Sequence, residues 1–439
     1  MKAPLNRRQF GRLMGGCGAA LLGGAPWRAA KSGKLQPAAA TVTDNLKMRS
    51  GHVIEILERH IETGYLTGAV ALLGRGSHAE VVTVGDQSRE TPGPMRRDSL
   101  FRITSMTQPI TAAATLMLID EGKLRLDEPI DHWLPELAHR RVLRSLSGPT
   151  DDTVPAKRPI TVEDLLTCRC GLGILPSADE DAPIRQRIAE LELSGFGPPT
   201  PAARLSPEEW LRRLGTLPLL AQPGETWLSN TASDILGVLI ARVAHRPLPQ
   251  LLHERLFGPL GMKDTAFVIP AAKAARFVSA YRLESGRAQL EDAAAASLWM
   301  SAPAFPDGAA GLLSTADDYF AFSYFLLSEG HPASVRLLSR ARISAMTSDR
   351  LTASQSAAAA PVLGERRGWG FGVAVVTATT PEGVPAGAYG WHGGFGTSWV
   401  ADPASATSAI LLTQTLFASP EPPAVHQEFW GAVFSPPLL

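Results

Sequence analysis

The sequence predicts an α+β fold: one antiparallel sheet made of strands from both ends of the chain and flanked by helices. A mostly helical region is inserted at about residues 125–324. Three observations lead there. Two β-rich runs lie near residues 69–84, β-rich runs return in the last third, and apolar residues recur at helical spacing between them.

In chain order, Asn6-Arg7-Arg8-Gln9-Phe10 precedes a weakly apolar Gly/Ala/Leu stretch from Leu13 to Ala25. That order of charge, moderate apolarity and small residues reads as a twin-arginine export signal. Residues 1–40 are then signal and linker, residues 41–439 the folded domain, and the destination periplasmic or extracellular. Small residues near Ala30 or Ala40 offer a cleavage point. Val53 to Ile61 has apolar residues at 53, 56, 57 and 61, an amphipathic helix. Ala69 to Leu73 and Val81 to Val84, joined across Gly74-Arg75-Gly76-Ser77, read as a hairpin. A short strand then runs into a long helix through Phe101-Arg102-Ile103-Thr104-Ser105-Met106-Thr107-Gln108-Pro109. Pro109 falls in the first turn, where N–H groups have no intrahelical partner, and Gly122 stands in a C-cap position.

Further on, Ile160 to Leu166 reads as a helix start with Thr161 as N-cap, and Asn230 to Val243 as an apolar-periodic helix. Ser314-Thr315-Ala316-Asp317-Asp318 opens another, with acids in its first turn. Trp369 to Thr377, Ser398 to Ala401 and Ser408 to Leu416 are β-rich, and Ala424 to Val433 makes a closing helix.

Composition narrows the function. A chain of 439 residues, 45% hydrophobic, can bury a large core. Lys+Arg and Asp+Glu both number 42, so no global charge favours nucleic acid or anionic membrane. Past residue 30 no uncharged apolar run is long enough to span a bilayer, so no stable span is expected after signal removal. Cys168 and Cys170 are too close for an unstrained disulfide, and one such pair does not make a zinc knuckle. They read as two small half-buried hydrophobes, with a reactive thiol as the alternative. Neither a Gly-rich dinucleotide loop nor a metal-ligand cluster is present, so no cofactor and no metal are expected.

Three segments carry the chemical signal. Ser105 stands at a helix start, where N–H groups favour developing negative charge. Hydrolases of the Ser-x-x-Lys type place a lysine one turn on. Here that position is Gln108, whose amide takes up no proton near neutral pH. The second segment is Gln222-Pro223-Gly224-Glu225-Thr226-Trp227-Leu228-Ser229-Asn230-Thr231-Ala232-Ser233-Asp234, and the third is Gly390-Trp391-His392-Gly393-Gly394-Phe395-Gly396-Thr397-Ser398-Trp399. In order and spacing they resemble the serine β-lactamase-related superfamily: class C β-lactamases, D-Ala-D-Ala peptidases and β-lactamase-like esterases. Leu256 to Thr265, Gly311 to Tyr319 and Ile160 to Leu166 also look like landmarks of that family, so the resemblance covers most of the mature chain.

The resemblance implies a β-lactamase/transpeptidase-like fold and a small-molecule or peptide acyl substrate. It makes Ser105 the acylated nucleophile and Gln108 the occupant of the lysine position. The family's Tyr-x-Asn motif falls just after Trp227. Counting from Trp227 puts Ser229 at the tyrosine; matching the asparagine to Asn230 puts Leu228 there, and neither supplies a phenol. Asn230 and Thr231 are substrate-binding candidates by the same match. His392-Gly393-Gly394 matches the Lys/His-Thr-Gly motif on an edge strand, and the backbone N–H groups of Ser105 and Phe395 match the oxyanion hole. Gly393, Gly394 and Phe395 thus join the binding site.

These departures act unequally. A backbone oxyanion hole survives side-chain loss, whereas the groups that move the serine proton are replaced. His392 is the one side chain in the three motifs able to act as a base near pH 7; alternatively it only hydrogen-bonds the substrate. Gln108 and Ser229 are expected to pair as neutral groups in the space of lysine and tyrosine. Trp227, Trp391, Phe395 and Trp399 either line an acyl pocket or pack the core. The segment Ile174 to Pro218 is expected to cover the cleft. Two functions follow: an exported serine hydrolase acting on an ester, amide or β-lactam with weakened or rerouted base catalysis, or a non-catalytic member of the fold binding a cell-wall peptide or acyl ligand.

Overall fold

The computed structural model describes residues 39–175, 181–197, 205–330 and 336–435. The expected export signal lies outside the described residues, as do parts of the segment expected to cover the cleft.

The hairpin forms as read. Gly68–Arg75 (β1) and His78–Gly85 (β2) pair antiparallel, with Arg75 opposite His78 at the turn. The later strands are Arg367–Trp369 (β3), Ala374–Val376 (β4), Tyr389–Gly393 (β5), Thr397–Asp402 (β6) and Thr407–Thr413 (β7). They complete an antiparallel sheet in the order β2-β1-β7-β6-β5-β4-β3. β1 pairs with β7, Ala69 opposite Thr413, so the two ends of the chain meet in the sheet.

The main helices are Ala39–Glu62 (α1), Thr107–Asp120 (α2), Val162–Leu166 (α3), Thr231–Ala244 (α4), Ala316–Leu327 (α5), Ala353–Leu363 (α6) and Ala424–Phe434 (α7). Val53 and Leu57 of α1 and Val425 and Phe429 of α7 cover the back of the sheet, against Ala69, Ala71, Leu73, Val400 and Leu411. On the front, Val70, Leu72, Trp399, Ile410 and Leu412 pack with Phe322 and Phe325 of α5 and with α2. Both faces of β1 are covered, which is why Ala69 to Leu73 is apolar without alternation. Thr107 to Ile119 is buried on every side, so α2 is a central helix. Local signals set the helix ends. Gly122 takes φ +70 while Lys123 N–H donates to Leu118 O, and Thr161 and Asp164 form a capping box on α3.

Two expectations need correction. Residues 369–377 form no single strand. β3 and β4 are separate, and the chain between them passes so close to α2 that a Cβ on Gly372 would lie 2.6 Å from Ala112 Cβ. The inserted region is also less uniformly helical than its periodicity implies. Arg141–Leu143 pairs with Thr153–Pro155, and Ala280–Glu284 pairs with Arg287–Asp292 across a left-handed Ser285-Gly286 turn. That second ladder is largely exposed and polar, and so carries little apolar signal.

Candidate active site

Ser105 is positioned by a short strand and a reversal. Phe101–Arg102 pairs with Leu313–Ser314, and the buried Arg102 donates to Asp292 (2.7 Å) and Val278 O (2.7 Å) while lying over the Phe277 ring. Ile103 N–H donates to Leu312 O. Thr104 then takes φ +40, a conformation a β-branched residue rarely adopts, and turns the chain into the single 3₁₀ turn Thr104–Met106 that leads into α2. Tyr319 holds that turn by donating to Met106 O at 3.0 Å. Ser105 is half-buried at the head of α2, and among the described residues no protein group hydrogen-bonds its Oγ.

β5 lies against this turn. A Cβ on Gly393 would stand 2.2 Å from Ile103 O and 2.4 Å from Thr104 Oγ1, so only glycine lets the strand approach. Gly393 N–H and C=O belong to the strand's end, and Gly396 N–H donates back to Gly393 O, closing a turn that contains Gly394 and Phe395. Gly394 is exposed; Phe395 is buried and packs edge-to-face on Trp299. The expected edge position is corrected: β4 and β3 lie beyond β5, with Tyr389 and Gly390 paired to β4, although Trp391 to Gly393 have a ladder partner only in β6.

His392 does not face this site. Strand side chains alternate, so with Gly393 toward Thr104, His392 points to the back of the sheet. Its register partner Ser398 confirms the face, because Ser398 Oγ is hydrogen-bonded to His426 Nδ1 of α7 at 2.7 Å. The His392 ring packs on Phe417, and it donates to the Pro420 carbonyl. Burial pushes its pKa down to about 3, with Arg367 adding to the fall and the Pro420 bond opposing it. Both expected roles, base and substrate contact, are therefore corrected: a neutral imidazole on the far face reaches neither Ser105 nor its substrate.

The expected Gln108–Ser229 pair is also absent. Gln108 is buried one turn after Ser105, and its Oε1 has no hydrogen-bond partner. Ser229 is half-buried, and its carbonyl accepts from Ile174 and Thr231 N–H. Asn230 and Thr231 are committed elsewhere. Asn230 Nδ2 and Thr231 Oγ1 both donate to Gly195 O, at 3.0 and 2.6 Å, and Asn230 adopts φ +82, ψ −77 to do so. They hold the Gly195 loop, which corrects their reading as substrate ligands. The aromatic residues settle mostly into core. Trp399 is fully buried and donates to Ser323 Oγ; Trp227, Trp369 and Trp391 stack edge-to-face at 5.4 and 4.7 Å.

Sequence reading missed the carboxyl pair Asp234 and Asp307. The two are hydrogen-bonded to each other, and both accept from Ala309 N–H. Burial above all, then the Asp307 charge, raises the Asp234 pKa well above the usual carboxylate range, so Asp234 carries the shared proton. The pair stands between the Gly195 loop, whose glycine has no room for a Cβ beside Asp234 Oδ2, and a 307–312 loop that is also tied to α2. There Thr111 Oγ1 donates to Gly308 O and Leu312 N–H donates to Thr107 Oγ1. A lone acid inside the apolar run Ile235 to Ile240 and its preceding turn was the available signal.

A half-buried serine at the head of a central helix, flanked by a glycine-bearing sheet strand, is the arrangement of the serine β-lactamase fold. Residues 53–427 match the Beta-lactamase family, and the chain belongs to it. The chain is 31% identical to esterase EstB of Burkholderia gladioli over 387 residues, 82% of this chain and 89% of that one. Over 364 residues it is 38% identical to protein Rv1367c of Mycobacterium tuberculosis, covering 80% and 87% of the two chains. Among solved structures it resembles EstCE1, a hydrolase with promiscuous acyltransferase activity, with TM-score 0.75, 26% identity, 90% of this chain and all of that one.

Proposed function

We propose that the chain is an exported serine hydrolase acting on an ester, amide or β-lactam through acyl-Ser105, with weakened proton transfer. The observation that carries this reading is Ser105 itself, half-buried at the head of α2 with an unpartnered Oγ. The similarity to an esterase and to a hydrolase with acyltransferase activity supports an ester as the substrate class. In the reaction Oγ attacks the acyl carbonyl carbon, and the backbone N–H groups of Ser105 and Phe395 receive the developing oxyanion. The bond to the leaving group then breaks, and the Oγ proton ends on that group. Water attacks the acyl carbon, releases the carboxylic acid and restores the Oγ–H. An amide such as Gln108 takes up no proton, so the rate lacks general-base help worth about 10²–10⁴-fold.

A second reading is favoured by the same observation that weakens the first. With Gln108 and Ser229 uncharged and His392 behind the sheet, the three motifs retain no side chain to move the serine proton. The protein would then bind a cell-wall peptide or acyl ligand without turnover. Incubation with a fluorophosphonate or labelled penicillin, followed by peptide mass spectrometry, separates the two. The hydrolase reading expects mass added at Ser105 and none in Ser105→Ala; a folded protein without adduct at high probe concentration sinks it. Gln108→Lys with Ser229→Tyr is expected to raise short-chain ester turnover by at least about tenfold. No rise would show that those two positions do not limit the rate.

A further inference from the structure

On the face of the sheet away from Ser105, a cavity of about 400 Å³ opens between the end of α6, the turn around Glu382 and α7. Its size suits a small ligand. Arg367 of β3 forms part of its wall, with its guanidinium 5.4 Å from the centre of the Trp430 ring. No protein group among the described residues accepts a hydrogen bond from that guanidinium, whereas neighbouring Arg366 donates to Thr379 O. Burial lowers the Arg367 pKa, and only the Glu382 charge opposes the fall. A smaller void of about 20 Å³ shares Arg367 and Trp430 as walls and reaches His392.

A half-buried guanidinium with neither a hydrogen-bond acceptor nor a salt bridge among the described residues favours a carboxylate, which its planar fork binds through two parallel hydrogen bonds. A plain anion fits poorly, because Glu365, Glu382 and Glu421 line the same cavity against Arg366 and Arg367. The carboxyl end of α6 also points here, and a helix C-terminus favours positive charge. The ligand must therefore carry both signs. We propose that this cavity is a second site, separate from Ser105, that binds a small zwitterion, a free amino acid or short peptide, with its carboxylate on Arg367 and its ammonium toward Glu382 and Glu421.

Titration calorimetry on the full chain with alanine, dialanine, acetate and methylammonium tests this. Alanine or dialanine is expected to bind saturably, acetate at least about tenfold more weakly, and methylammonium not at all; which of the first two binds tighter tells amino acid from peptide. Binding is expected to shift the His392 ring resonances and to persist after Ser105 is blocked by a fluorophosphonate. Arg367→Met is expected to abolish it, and Glu382→Gln to weaken the zwitterion about tenfold while acetate binds as well as before or better. No saturable heat from either zwitterion, acetate binding equal to alanine, or full affinity in Arg367→Met overturns the proposal. Should Arg367→Met fail to fold, Glu382→Gln decides alone, and unchanged zwitterion affinity in it overturns the proposal equally.

Discussion

Ser105 depends on its neighbours' backbone more than on their side chains. Thr104 is held at φ +40, and Gly393 rests directly on it and on Ile103 O. Gly393→Ala would drive a methyl group into Ile103 O, Thr104 Oγ1 and Thr397 Oγ1, two of them fixed by the sheet and the turn. The expected result is a fall of at least about tenfold in fluorophosphonate labelling of Ser105, together with a lower melting temperature. Gly93→Ala is the control, since a Cβ there meets nothing within 4 Å and Gly93 lies outside the three motifs, and it is expected to label at the native rate. His392 offers the opposite case, a residue that looks chemical in the sequence and is structural in the fold. Its imidazole stays neutral until about pH 3, so His392→Ala is expected to leave the pH profile of Ser105 labelling unchanged between pH 5 and 9. A profile that loses an inflection in this variant would restore His392 to the reaction.

Among elements, α4 and the 307–312 loop are joined through the proton shared by Asp234 and Asp307. The Asp234 pKa is raised in the folded state, so between the unfolded value near 4 and the folded value the native protein holds more protons than the unfolded chain. Stability from this group is full below that window and is lost as pH rises through it. Asp234→Asn keeps a donor toward Asp307 and an acceptor for Ala309 N–H but cannot ionise. Urea denaturation at pH 5 and pH 8 is expected to show the native protein losing stability relative to this variant; parallel behaviour would refute the shared proton. Elements governed by local signals were legible in the sequence: α1, the β1–β2 hairpin, α2 with its Gly122 end, the Thr161 cap, α5 and α7 all follow periodicity or capping. Those governed by distant contacts were not. β3 and β4 are parted by the approach of Gly372 to α2, and the side of β5 that His392 takes is fixed by its pairing with β6 and by Thr104, some 290 residues earlier. Likewise, the position of Ser229 could be counted in the sequence, but its lack of a bond to Gln108 could not.

In the whole molecule the sheet has two unlike sides. The front carries Ser105, α2 and the carboxyl pair; the back is closed by α1 and α7, and the polar groups there include two histidines, His392 and His426. His426 of α7 is almost wholly buried against Ser398 and Phe417, and burial, with His392 and His60 nearby, pushes its pKa down to about 3. The sign of the resulting linkage is opposite to that of Asp234. Below the unfolded value near 6.5 the unfolded chain binds a proton that folded His426 refuses until about pH 3, so stability present at neutral pH is lost on acidification across that window. At pH 5 the loss from this one group is about 2 kcal/mol. Because His426 lies on α7, the cost falls on the contact that ties the carboxyl end of the chain to the back of the sheet, while Ser105 is held from the front. His426→Asn retains a polar partner for Ser398 Oγ without a titrating ring. Comparing denaturation midpoints at pH 7 and pH 5, the native protein is expected to lose more stability than the variant by about that amount. Equal losses in the two proteins would mean that His426 already accepts its proton in the folded state, and that the back of the sheet is open to water at α7.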